Sequence, residues 1–280
     1  MMYLWRHIAV IVAATICAVI GFMVCMSWYG HWYNHFSGAD RGVSDGVCNI
    51  AVVPIQGIVT PYDDPNAPQY GGTNEPSASG DGFVRAVHNA ERDPNILGII
   101  VPIDSGGGSV VPSVMMMNAL KRSPLPSVAL IREMGASAAY MAATGASTII
   151  ASPYSDVGSI GVTYSYLSNV QKDKQDGIAF VQLSSGPYKD TGSPDKPLSD
   201  AELALYDRDI KIYKDLFVNT VAENRHMATS SVDALADGST FPGEMAFQNG
   251  LIDQLGDEET AKAWLAEKLG MTADEVILCN

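Results

Sequence analysis

From Leu97 to Ser147 the chain writes one pattern twice: an apolar run, a turn of small residues, then a stretch suited to a helix. The first copy is Leu97–Ile103, the turn "IDSGGGSV" and Val110–Lys121. The second is Ser127–Arg132, the turn within "REMGASAAYMAATGAS" and a helix from Ser137. Strands that alternate with helices in this way build a parallel sheet with helices packed across it. The flanking sequence extends the pattern, with a strand over Asn49–Gln56, a helix over Asp81–Arg92, and strands at Thr148–Ala151 and Ala179–Leu183. A long helix runs from Ser199 to about Arg225, its start fixed by the capping box Ser199-Asp-Ala-Glu202. Thr60–Gly80 holds four prolines and three glycines and reads as a long loop, of the kind that contacts a partner or covers a site.

A different signal precedes the sheet. Ile8–Trp28 is twenty-one residues without a charge, which as a helix extends roughly 30 Å, the thickness of a bilayer's hydrocarbon core. Tyr3 and Trp5 on one side and Trp28, Tyr29, Trp32 and Tyr33 on the other fall where the two interfaces would lie. No A-x-A cleavage site follows the run. The expected organisation is therefore an anchor over 1–30, a tether over 31–48 and one large domain over 49–280. The few charges flanking the span favour a single-pass protein with its domain on the extracytoplasmic side of the membrane.

The chain carries a formal net charge of −14, and the acidic excess lies after residue 41. That sign repels phosphate backbones, so nucleic acid is excluded as a partner. Cys48 and Cys279 flank the domain; two free thiols are expected, a disulfide being open to them in an oxidising compartment. No Cys or His spacing suits a metal, and the glycine turn is neither a dinucleotide fingerprint nor a Walker loop, so no cofactor is expected.

The two turns carry the chemistry. Each follows a strand of one parallel sheet, so both face the same edge. There the N–H groups of Gly107, Gly108 and Ala138 could hold a carbonyl oxygen near the Ser137 hydroxyl, as acyl transfer requires. Tight packing of small residues is the competing account of the same turns. A serine nucleophile needs a base. His88 sits in a charged helical stretch and His226 at a helix end, which leaves lysine, provided burial weakens its hold on a proton. Most lysines lie in charged helical stretches. Lys189 lies instead in "SSGPYKDTGSP", a loop after an expected strand.

Taken together, "DSGGGSV", "GASAAYMAA", "VGSIGV", "SSGPYKDTGSP" and the tail "VAENRHM…ALADGSTFPGEMAFQNGLID" resemble, in order and spacing, the protease IV or signal peptide peptidase A family. These are membrane-anchored serine proteases with a Ser-Lys dyad on the Clp-protease/crotonase fold, and the resemblance runs from about Ile50 to Gly256. It implies an α/β fold of repeated β-β-α units, Ser137 as nucleophile, Lys189 as general base, and Ser159 as the hydroxyl that orients the lysine. It further implies an oxyanion hole at Gly108 and Ala138, peptide substrates such as signal-peptide remnants at a membrane, and a homo-oligomer. Three positions depart from the family pattern: Ala138 and Ala139 replace a Gly-Gly pair, Gly106 stands where proline is usual, and Ser239 where arginine is common. Competing expectations are an inactive anchored scaffold of this fold, an acyl-CoA enzyme with the same oxyanion hole, and a phage maturation protease.

Overall fold

The computed structural model describes residues 43–62 and 76–279, with Met23 alone before them. The expected span at Ile8–Trp28, apart from Met23, and most of the tether lie outside the described residues. Among the described residues, no helix is long and apolar enough to cross a membrane.

The strands are β1 (Ile50–Val52), β2 (Ile55–Thr60), β3 (Ser77–Ser79), β4 (Gly98–Gly108), β5 (Ser127–Ala136), β6 (Thr148–Ala151), β7 (Asp156–Gly158), β8 (Thr240–Pro242), β9 (Gln254–Leu255) and β10 (Leu278–Cys279). The helices are α1 (Gly80–Arg92), α2 (Val110–Arg122), α3 (Ala138–Ala143), α4 (Val170–Asp176), α5 (Asp200–Arg225), α6 (Thr229–Asp233), α7 (Gly243–Gln248) and α8 (Glu258–Leu269). The strands join one sheet along the path β10-β1-β4-β5-β6-β9, and every pair is parallel except β7 with β8. This is the mixed α/β architecture with a mostly parallel sheet that the alternation predicts.

The strands bend where the sequence suggests loops. β4 pairs β1 over Gly98–Ile100, then pairs β2 from Ile103 to Gly108. In the same way β5 pairs β6 over Val128–Ile131 and β7 over Met134–Ala136. Each repeat is thus two strand segments and a helix. The glycines of "DSGGG" do not end their strand; they let it continue beside β2 with too little side chain to obstruct it.

Alternation along the bent strands feeds two cores. Ile99, Val101, Ile103, Ala129 and Ile131 pack in one cluster with α1, α2 and α3, while Ile100, Val128 and Leu130 pack in another with α8. A strand covered on both faces reads as an unbroken apolar run, as Leu97–Ile103 does. Each fully buried isoleucine contributes about 1.5–3 kcal/mol relative to exposure.

Three expectations change. Ser77–Ser79 is a strand, and Gly80 opens α1 with Ser79 as its cap, so the loop from Thr60 ends earlier than its prolines suggest. Ala179–Leu183 is not a strand: Val181 and Leu183 are 73% and 93% exposed, and among the described residues no strand pairs with the segment. Cys48 and Cys279 are joined in a disulfide rather than free, because β1 and β10 are parallel neighbours that bring the chain's distant ends together.

Candidate active site

At the end of β5 the backbone of Ser137 takes φ 52° and ψ −123°, a conformation costly for a residue with a side chain. Its N–H donates to Gly158 O at 2.7 Å, and Met141 N–H donates to Ser137 O at 3.0 Å, so the bend is held from both sides. The serine hydroxyl makes no capping bond to α3 and stays available. Ala138 and Ala139 are buried behind it, and a β-carbon on Gly145 would lie 2.2 Å from Met117 O, so the small residues also let α3 press against α2. Packing and chemistry ask for the same residues here. Tyr140, fully buried on α3, donates to Leu251 O at 2.7 Å, and burial pushes its phenol above the ordinary range.

The glycine strand runs beside this bend. Gly107 and Gly108 have φ of 104° and 151°, and a β-carbon on Gly107 would meet Ala138 N at 2.9 Å. The Gly107 N–H donates to Ser105 Oγ at 3.1 Å and is therefore not free for an oxyanion. Gly108 and Ala138 remain. Ala138 opens α3, where an N–H has no partner within the helix.

Ser159 follows one strand over, also at positive φ, with its N–H donating to Ser239 O and its Oγ–H to Gly238 O, both at 2.9 Å. That donation orients the hydroxyl and leaves its lone pairs for an incoming cation. Gly108, Ser137 and Ser159 line one cavity of about 510 Å³, together with Lys214, Asp237 and Gly238. The Ser239 hydroxyl and N–H hold the Asp237 carboxyl below its usual range.

Lys189 is not among the residues lining this cavity. It sits in an exposed turn, its N–H donating to Gly186 O at 3.3 Å, and its ammonium has no partner among the described residues. The charged helical stretch gives Lys214 a solvated surface role in the sequence and leaves Ile210 unmarked, yet both reach the cavity from α5. Their i, i+4 spacing on a capped helix was the available signal. The Lys214 ammonium is 2.9 Å from Asp233 Oδ1 and is engaged there rather than with Ser137.

Comparison with known proteins follows the same lines. Residues 119–272, more than half the chain, match the model of peptidase family S49. A candidate protease of Methanocaldococcus jannaschii is 31% identical over 198 residues, 70% of this chain and 63% of its own length. One of Synechocystis is 36% identical over 182 residues, 64% of this chain and 66% of its own length. A candidate signal peptide peptidase of Enterococcus faecium is 30% identical over 198 residues, 70% of this chain and 58% of its own length. The chain thus spans less than two thirds of the length of these relatives. A nucleophile-like serine on a strained bend, a glycine strand against it and the extended family match lead to one conclusion: the chain belongs to peptidase family S49.

Proposed function

We propose that this protein is a membrane-anchored serine endopeptidase in which Ser137 of one copy is activated by Lys189 of a second copy. The observation that carries the reading is the bend at Ser137, held at positive φ against the glycines of β4 in an open cavity. In the reaction the neutral Lys189 amine takes the Ser137 proton as Oγ attacks the scissile carbonyl. The N–H groups of Gly108 and Ala138 receive the oxyanion, and Ser159 Oγ accepts a hydrogen bond from the lysine. The lysine then returns the proton to the leaving amine, and water, deprotonated by the same lysine, releases the acyl group.

Assembly is supported by the surface around Lys189. Tyr164, Leu167, Phe180, Val181 and Leu183 are exposed on the same stretch of chain, apolar side chains that a second copy would cover. A second copy seated there would also take Lys189 out of water, which a lysine base requires. The Cys48–Cys279 disulfide favours an oxidising compartment, in keeping with an anchor at Ile8–Trp28 and a domain outside the cytoplasm. The cavity's apolar lining of Val110, Val162 and Ile210 suits the apolar body of a signal-peptide remnant. The repeated strand-strand-helix units fit the Clp-protease/crotonase fold. An acylating active-site probe tests the reading: modification of Ser137 supports it, and a folded, assembled protein that takes no label points to an inactive scaffold.

A further inference from the structure

The turn that carries Lys189 is tied to the start of α5 by an ion-pair knot to which the reaction above gives no role. Glu202, 3% exposed, accepts from Lys196 Nζ at 2.6 Å through Oε1, and from the Ser199 N–H and hydroxyl at 2.9 Å through Oε2. The Lys196 side chain is 14% exposed, and its ammonium also lies 3.2 Å from Asp190 Oδ1. That same Oδ1 accepts from Gln182 Nε2 at 2.7 Å. Asp190 is the residue after Lys189. The turn is closed on its other side by Lys189 N–H to Gly186 O, and continued by Ser193 N–H to Asp190 O at 3.0 Å.

The knot fixes the backbone of Lys189 while leaving its side chain exposed. The two lysines of the loop are thereby separated in role. The hydrogen bond from Lys196, followed by those from Ser199, holds the Glu202 carboxyl near 2, and bonding to Glu202 raises Lys196 above the ordinary lysine range. An ammonium kept charged by two carboxylates is no base, whereas Lys189 has no such partner. Ion pairs taken out of water return in attraction roughly what they lose in hydration. What two carboxylates around one cation add is a fixed geometry.

We propose that Lys196, Glu202 and Asp190 are positioning residues that aim Lys189 out of its own chain toward the nucleophile of another copy. The proposal rests on the dyad reading and adds to it the device that places the base. General bases are sensitive to placement, and an error of about 1 Å costs on the order of 10²-fold in rate.

The test uses the full chain and a peptide substrate. In Lys196→Met/Glu202→Gln the buried pair leaves together, and Asp190, 22% exposed, keeps its bond from Gln182. The expected result is a fall in kcat on the order of 10–100-fold with KM near that of the wild type. Lys196→Arg, whose guanidinium still reaches both carboxylates, keeps most of the wild-type kcat. Wild-type kcat in the double variant overturns the proposal, as does a raised KM with kcat unchanged, which assigns the knot to substrate binding. Should the double variant fail to fold or assemble, Asp190→Asn leaves the Lys196–Glu202 pair in place; a smaller loss of kcat supports the proposal and an unchanged kcat overturns it. Lys189→Ala separates the two levels. Turnover surviving in that variant removes the dyad reading, whereas its loss beside full turnover in the double variant removes only the positioning role.

Discussion

A β-carbon placed on Gly107 would come within 2.9 Å of the Ser137 β-carbon. Real β-carbons do not approach so closely, so glycine at 107 is what lets the β4 strand lie against the serine bend. Gly107→Ala would force the two apart and strain a backbone held at φ 104°. The expected outcome is a loss of about 1–3 kcal/mol of stability, read by thermal denaturation, and a large fall in turnover. Unchanged melting with full activity would mean that the strand can withdraw without disturbing the site.

The dyad makes graded predictions. Lys189→Ala should reduce turnover on the order of 10²–10⁴-fold, the usual worth of a general base. Lys189→Arg should be as poor, since a guanidinium does not give up its proton in a protein. Ser159→Ala should cost less, about tenfold, because it removes one hydrogen bond to a charged group and not the base. Steady-state kinetics on the folded variants check the order, and a Ser159→Ala enzyme as dead as Lys189→Ala would give Ser159 a larger part than orientation.

The rate should rise from neutral to alkaline pH, because only the neutral lysine accepts a proton. The positioning knot does not titrate in that window. Glu202 is depressed to about 2 from 4.5, so its contribution is complete above about 4.5 and lost only as pH falls toward 2. Lys196 is raised above 10.5, so its contribution is complete below that value and lost only at higher pH. A profile of kcat/KM flat from pH 6 to 9 would contradict a lysine base.

The disulfide closes a separation of 231 residues between the first and last strands. Cys48→Ala/Cys279→Ala should therefore lower stability by about 2–4 kcal/mol in denaturant unfolding, mainly by freeing the unfolded chain. Turnover of the folded variant should persist, because neither cysteine lines the cavity at Ser137. No change in stability would show that the sheet alone holds β10 in place.

The parts of the fold governed by local pattern were legible. Val110–Lys121 and Thr148–Ala151 fall where their apolar spacing puts them, and the Ser199–Glu202 capping box marks the start of α5 to the residue. What the sequence hid depends on neighbours. Gly106–Gly108 looks like a turn, because nothing local announces that β2 pairs beside it. Ala179–Leu183 carries the texture of a strand, yet its apolar side chains face solvent. Gly108 and Ser137 are placed together by their positions at successive strand ends and Ser159 by the family resemblance, and the three do share a cavity. Lys189, placed by the resemblance and by its loop, does not join them within the chain.

The central claim, a site shared between copies, is tested most directly by mixing two inactive proteins. Ser137→Ala chains keep Lys189 and Lys189→Ala chains keep Ser137, so a mixed assembly contains intact sites only if the dyad forms between copies. Subunit exchange is verified by co-purification of differently tagged chains, and peptide hydrolysis is then measured. The account predicts that turnover returns in the exchanged mixture and is absent from each parent. A mixture that exchanges fully and remains as inactive as its parents would contradict it.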